Sequence, residues 1–373
     1  MFESPPFWMY VIGFLLLLGP LVTLHELGHL LVGRLFGVKA DAFSVGFGKE
    51  LVGYTDRQGT RWKLSALPLG GYVQFKGDMN PASVPDADAP DEEGSFQHAA
   101  LWKRALIVAA GPVTNLVIAI AIFAAFFAII GKPVIVDEED SRTIGAFSEG
   151  SVAEAAGLKV GDVVVAIDGR PIRDFTDLKT KIALHPGKRM VFAVERAGKP
   201  LEYTLTTARI ERKDDFGNVS SEGLIGIAPA GGKYELEKVG ILEAIPLGAK
   251  QSWDFMGMMI TGIQQIVTGE RSVKELGGPL KIAKYSGEQM SMGAAAFIHF
   301  AALISLNLAF INFLPIPALD GGHLMFYAAE AIRRKPAGPQ ATEWAYRTGI
   351  ALVLMLMLVV TVNDIVSLPI FGS

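Results

Sequence analysis

No cysteine occurs anywhere in the 373 residues. Disulfides are therefore excluded, and any metal site must be built from histidines and carboxylates. Charge is scarce as well: Asp, Glu, Lys and Arg make up 19% of the chain against 50% for hydrophobic residues, and mean hydropathy is +0.36. That is too apolar for an ordinary soluble enzyme and implies several membrane spans beside a soluble part. A basic excess is missing, and the formal net charge of −4 gives no footing for a nucleic-acid partner. Gly (41) and Pro (20) stay near average usage, so no low-complexity class applies. Histidine is rare at six residues, which gives weight to two of them in one short stretch.

That stretch is Leu24-His25-Glu26-Leu27-Gly28-His29-Leu30. On a helix, positions i and i+4 share a face, so His25 and His29 can offer imidazoles to one metal ion. Glu26 can then hold and deprotonate a water beside it. Ionisable groups next to apolar helix are costly in lipid and mark function. The motif closes an uncharged eighteen-residue run, Phe7 to Leu24, close to the length that spans a bilayer. A retained span is expected rather than a cleaved signal peptide: Met1 to Pro6 carries no Lys or Arg, and no small-residue cleavage site separates the run from the histidines.

Short β-like runs follow at Ala42–Phe47, Glu50–Tyr54, Arg61–Leu67 and Gly70–Phe75, punctuated by Gly46, Gly48, Gly53, Gly59 and Gly70-Gly71. They are apolar for solvent-exposed hairpins. Two placements fit, plain soluble hairpins or a sheet dipping into the membrane whose open edge pairs with an extended substrate. An acidic Pro-rich loop (80–94) leads to a second span, Ala105–Ile130, which contains Gly111-Pro112-Val113-Thr114-Asn115. Asn115 there either hydrogen-bonds a neighbouring helix or faces the metal helix.

Lys132 to about Pro229 has soluble composition. Ser151-Val152-Ala153, Ala156-Gly157-Leu158, Gly161-Asp162 and Ile167-Asp168-Gly169 resemble the signature of a bacterial PDZ domain, with the usual Pro after Ser151 missing. Thr176–Ala183 is expected as its second helix, and Arg189–Arg196 with Leu201–Thr207 as a hairpin around Gly198. Leu224-Ile225-Gly226-Ile227 resembles a PDZ carboxylate-binding loop, with Ile144-Gly145-Ala146-Phe147 as competitor. PDZ domains bind extended peptides by strand addition.

Leu236–Gly269 reads as an amphipathic helix on the membrane surface, because Lys250, Asp254, Gln264 and Gln265 interrupt it. Glu270–Tyr285 reads as a polar connection. The third span, Ala294–Leu314, runs into Pro315-Ile316-Pro317-Ala318-Leu319-Asp320-Gly321-Gly322-His323, where prolines and glycines unwind the helix. A fourth span has its core at Ile350–Val362 and extends over 342–367. The expected segments are thus 1–38, 39–79, 80–102, 103–131, 132–230, 231–292, 293–341 and 342–373. Cationic residues near span ends (Arg34, Lys39, Lys103, Arg104, Arg333 to Lys335) fall on one side if both termini lie outside. The PDZ-like part then lies outside, and the histidine motif towards the cytoplasm.

A catalytic zinc usually takes three protein ligands and a water. Of the carboxylates in apolar sequence, Asp320 stands in unwound backbone from which it could reach another helix, and is the best third ligand. His323 is its rival, against a plain structural hydrogen bond. His299 reads as a buried, satisfied histidine. His25-Glu26-Leu27-Gly28-His29 together with Asn312-Phe313-Leu314-Pro315-Ile316-Pro317-Ala318-Leu319-Asp320-Gly321 resembles the site-2 protease family of intramembrane zinc metalloproteases. The bacterial regulator of sigma-E protease is the nearest type, although that type has two tandem PDZ domains and one is found here.

The resemblance implies a mainly α-helical polytopic membrane protein of the bacterial inner membrane. It would have four transmembrane helices, a membrane-associated β region after the first, and an inserted α+β PDZ domain. It implies one Zn2+ per chain on His25, His29 and Asp320, Glu26 as general base then acid, and Asn312 on the substrate backbone or oxyanion. The β region around Gly46, Phe47, Gly48, Gly71 and Tyr72, with Asn115, would hold an unwound substrate. Implied substrates are single-span membrane proteins, anti-sigma factors or signal-peptide remnants, already shortened by another protease; peptide carboxyl termini would meet the PDZ domain. A non-catalytic PDZ adaptor and a metal transporter are the competing readings, and neither needs Glu26 between two ligands.

Overall fold

Residues 5–77, 93–135, 141–213, 219–231, 234–269, 277–335 and 338–367 are described by a computed structural model. Most of the expected acidic loop and the start of the expected polar connection (270–276) lie outside the described residues. The first elements are α1 (Phe7–Leu35), β1 (Ala40–Thr55), β2 (Arg61–Phe75) and α2 (Leu101–Ile130). Next come β3 (Lys132–Ile135), β4 (Ile144–Phe147), α3 (Val152–Ala155), β5 (Val163–Ile167), β6 (Arg170–Pro171), α4 (Phe175–Ala183) and β7 (Arg189–Arg196). β8 (Lys199–Thr206), β9 (Ala208–Lys213), β10 (Val219–Leu224), β11 (Ile227–Pro229) and β12 (Tyr234–Glu237) complete the strands. The chain ends with α5 (Ile241–Val267), α6 (Pro279–Ser291), α7 (Ala294–Phe313), α8 (Asp320–Arg333) and α9 (Pro339–Ser367). Two compact units result, Phe127–Gly240 and the remainder from Pro5 onward.

Among the described residues four helices are long and apolar enough to cross a membrane, at the four places the sequence indicated: Phe7–Leu35, Leu101–Ile130, Ala294–Phe313 and Thr342–Val366. At about 1.5 Å per residue, His25 lies roughly 28 Å along α1, near the far face of a hydrocarbon core about 30 Å thick. The 20 residues of α7 rise about 30 Å, so the unwound segment after it reaches a similar depth. Lipid offers no hydrophobic drive between helices, and close approach at small residues replaces it. Gly28 shows this: a Cβ there would lie 2.2 Å from Thr114 Oγ1 and 2.7 Å from the Ala110 carbonyl, so only glycine lets α1 meet α2.

The four short β-runs appear as bent legs of β1 and β2. Residues 40–45 pair antiparallel with 71–75, while Ala42 to Val45 run in step with Arg61 to Leu64, and 50–55 pair antiparallel with 61–65. The strip is therefore ordered 50–55, 61–65, 40–45, 71–75, and among the described residues no strand pairs with the outer edge of the last leg. Phe43 and Phe75 anchor it in a core with Leu30 of α1 and Ile107 of α2.

α5 is amphipathic, and part of its apolar face packs inside the unit while Leu242, Trp253 and Val267 stay exposed. Phe255, Met256 and Met259 pack on Phe123 of α2 and on Ala302 and Leu306 of α7. The expected connection contains a helix, α6, whose start is held by Asp364 of α9. Its buried carboxylate accepts from Gly278 N and Lys281 N, both at 3.1 Å. A carboxylate at a helix N-terminus satisfies orphan N–H groups and complements the dipole, which accounts for this acid inside an apolar span.

The smaller unit holds a four-stranded sheet ordered β6-β5-β7-β8. Met190, Phe192 and Val194 alternate inward along β7, and Leu178 and Ile182, one turn apart on α4, close the core. The β7–β8 turn places Ala197 and Gly198 at φ 49° and 74°, the handedness a two-residue hairpin needs. Asp174 and Ser151 cap α4 and α3, the latter at the place where the expected Pro is missing. Asp162 is fully buried and accepts from Nε and Nη2 of Arg196, at 2.6 and 2.7 Å, and from Lys159 N at 2.8 Å. Burial alone would raise its pKa; the Arg196 and Lys159 hydrogen bonds outweigh that and hold it below the usual value.

Two further antiparallel pairs are present, the hairpin β9–β10 and the long-range pair β3–β12, which joins the two ends of the unit. Ile144–Phe147, the competing candidate loop, is a strand paired with β11. Of the loop itself, Leu224 is exposed, Ile225 is buried in the core, Gly226 turns at φ 75°, and Ile227 starts β11.

Candidate metal centre

His25 and His29, one turn apart on α1, meet Asp320 from the first turn of α8. Their Nε2 atoms are 3.2 Å apart. Asp320 Oδ2 lies 3.2 Å from His25 Nε2, and Oδ1 lies 3.6 Å from His29 Nε2. Zinc bonds of about 2.0–2.1 Å in a tetrahedron put neighbouring donors about 3.3 Å apart, so these separations fit that ion. Among the described residues nothing hydrogen-bonds the buried Asp320 Oδ2, and an orphaned carboxylate oxygen facing two imidazoles is what a cation would satisfy. Among the described residues these three form the group able to hold a metal.

Each imidazole is fixed from behind, as metal-binding histidines require. His29 Nδ1 donates to the Ile107 carbonyl at 2.8 Å, leaving Nε2 bare for a ligand bond. The Asn115 carboxamide lies 3.2 Å from His25 Nδ1. Turned with its oxygen to the ring, it accepts that proton and frees Nε2 in the same way. Both supports come from α2, where Pro112 removes a backbone donor and loosens the helix. Gly111 lies against the site: a Cβ there would be 2.2 Å from His29 Nε2 and 2.7 Å from His25 Nε2.

Asp320 is delivered by a reversal of the chain. Leu314 follows α7 in extended conformation, Ala318 is held at φ 83°, and Leu319, extended, precedes α8. A left-handed alanine costs about 1–2 kcal/mol, strain of the kind that collects at functional sites. Gly321 packs so closely under this turn that a Cβ would be 2.2 Å from the Leu314 carbonyl.

Glu26 reaches the free edge of the 71–75 leg, where its Oε2 accepts from Val73 N at 3.2 Å. The three ligands, Glu26, Asn115, Asn312, Tyr72 and His323 share one cavity of about 330 Å³. Gly71 is next to Glu26, a Cβ there being 3.7 Å from Glu26 Cγ. Phe47 stands back from the cavity and stacks on Tyr72 at 5.9 Å; a Cβ at Gly46 would lie 2.6 Å from the Leu67 carbonyl, whereas one at Gly48 would point into open space. His323 takes a hydrogen bond with Tyr346 rather than the ligand place weighed for it. His299 lies between Phe123 and Phe126, away from the ligands.

Ala318, the Ile107 carbonyl and Tyr346 belong to the site and carry no sequence signal that assigns them to it. Gly111-Pro112 inside an apolar span was the one legible sign. The others are backbone or remote contacts that no spacing reveals.

Known proteins bear on this geometry. The model of "Peptidase family M50" matches residues 13–356. A Rhizobium meliloti (strain 1021) protein described as "Putative zinc metalloprotease" is 44% identical over 360 residues, covering 94% of this chain and 95% of its own. "Metalloprotease MmpA" of Caulobacter vibrioides is 34% identical over 388 residues, covering 96% of each. Among solved structures, the PDZ domain of an SdrC-like protein from Listeria monocytogenes matches 26% of this chain and 93% of its own, at 18% identity and a TM-score of 0.20. With four membrane-length helices and a family match across nearly its whole length, the chain is a multi-pass membrane metalloprotease that belongs to peptidase family M50, the site-2 protease family.

Proposed function

We propose that this protein hydrolyses a peptide bond within or near the transmembrane segment of single-span membrane proteins, in the bacterial inner membrane. Substrates of this class include anti-sigma factors and signal-peptide remnants. The observation that carries the reading is the open β edge of residues 71–75 beside Glu26 and the three ligand side chains. A helical span shields its own peptide bonds, so a substrate must first unwind. An extended segment could then add to that edge and lie across the cavity.

One zinc ion per chain, held by His25, His29 and Asp320, would supply a Lewis acid for the scissile carbonyl and acidify a water. Glu26 takes the proton from the attacking water and passes it to the leaving amine as the C–N bond breaks. The Asn312 amide donates to the substrate backbone or to the developing oxyanion. Asn115 and the Ile107 carbonyl keep both imidazoles in the ligating tautomer. The excess of Lys and Arg at one set of span ends orients this site towards the cytoplasm and the 127–240 unit outside. That unit would admit substrates already shortened by another protease, or bind their carboxyl termini at Leu224–Ile227.

The test is Glu26→Gln in purified full-length protein with a synthetic single-span peptide in detergent. Cleavage should fall at least about a thousandfold with bound zinc unchanged. Wild-type cleavage rates in the variant would defeat the protease reading.

A further inference from the structure

We propose that His323 is a further catalytic residue, donating a hydrogen bond to the substrate carbonyl oxygen from a tautomer that Tyr346 sets. Asp320 and His323 are three residues apart in the first turn of α8 and therefore share a face. Both line the cavity that holds Glu26 and Asn312. His323 is not one of the three grouped metal donors, so its chemistry is not used up by ligation.

Its orientation is built, not accidental. Tyr346 of α9 is among the most deeply buried large side chains, at 1% exposure. Its Oη lies 2.6 Å from His323 Nδ1, with ring centroids 5.0 Å apart. In this assignment the Tyr346 hydroxyl is the donor and Nδ1 the acceptor. The neutral ring then carries its own proton on Nε2. Among the described residues no group hydrogen-bonds that second nitrogen. Nε2–H is thus a preset donor in the cavity that also holds the Asn312 amide. A peptide carbonyl entering beside Asp320 gains it, most strongly when the oxygen turns anionic.

The inference rests on the protease reading and is tested with full-length protein, the same single-span peptide, and zinc measured per chain. His323→Ala should lower kcat about 100- to 1000-fold, leave KM within about twofold, and leave zinc content at the wild-type value. His323→Gln keeps an N–H near the Nε2 position and should recover at least about tenfold of that loss. Tyr346→Phe should lower kcat about tenfold by releasing the tautomer. An unchanged kcat in His323→Ala, or zinc falling in step with activity, would overturn the assignment. If His323→Ala does not fold, His323→Gln decides: active with full zinc supports the proposal, inactive with full zinc sinks it. Failure of the wild type itself to cleave would count against the protease reading instead.

Discussion

Gly111→Ala tests whether α2 presses on the metal centre as closely as described. The added methyl carbon would lie 2.2 Å from His29 Nε2, 2.5 Å from His29 Cε1 and 2.7 Å from His25 Nε2. Relaxed contacts of this kind are about 3.5 Å. The shortfall is therefore roughly 1.3 Å at one ligand and 0.8 Å at the other, by subtraction. Ligand bonds tolerate only about 0.2 Å. Either α2 retreats, breaking the Ile107 and Asn115 supports, or the imidazoles rotate away from Asp320. Losing outer supports alone weakens metal affinity about 10- to 100-fold, and a misplacement near 1 Å costs about 100-fold in rate. Zinc per chain after dialysis against a weak chelator should fall well below the wild-type value, and cleavage should fall with it. Gly262→Ala, on an open face of α5, is the control and should change neither. Normal zinc and normal cleavage in Gly111→Ala would refute the close packing of α2 on His25 and His29.

Two further outcomes follow from buried carboxylates. The depressed pKa of Asp162 means that its stabilising contribution is present above the ordinary carboxylate value near 4 and is lost as pH falls through its lower folded value. Asp162→Asn should cost the 127–240 unit about 1.5–3 kcal/mol at neutral pH and flatten its acid sensitivity, read from amide exchange at Phe192 and Val194; an unaltered acid profile would contradict this. Asp364→Ala removes both acceptors at the start of α6 and should cost about 0.5–2 kcal/mol, seen as faster exchange of the Gly278 and Lys281 amides. Unchanged exchange there would mean that the cap contributes nothing.

Much of the architecture was legible because its signals are local. Span lengths follow from the thickness of a bilayer, the four β-runs from glycine punctuation, and the hairpin of the smaller unit from Gly198. The i, i+4 histidines with Glu26 between them required only that the stretch be helical. The helix α6 was missed because its polar sequence is stabilised from outside, by an acid 86 residues further on. The amphipathic α5 was recognised, but not the surface of α2 and α7 that its apolar face covers, since an apolar stripe does not name its partner.

The sequence alone therefore determined the donors: two imidazoles on one helix face, a carboxylate beside them, and an aspartate in a deliberately broken helix. Only the tertiary structure decided that these converge, because α1 and α7 carry them to matching depths and the strained turn at Ala318 swings Asp320 inward. It also decided which groups stand behind the ligands. The carbonyl of Ile107, the absent side chain of Gly111 and the phenol of Tyr346 act through contacts between helices distant in sequence, and such contacts leave no periodic trace in the chain.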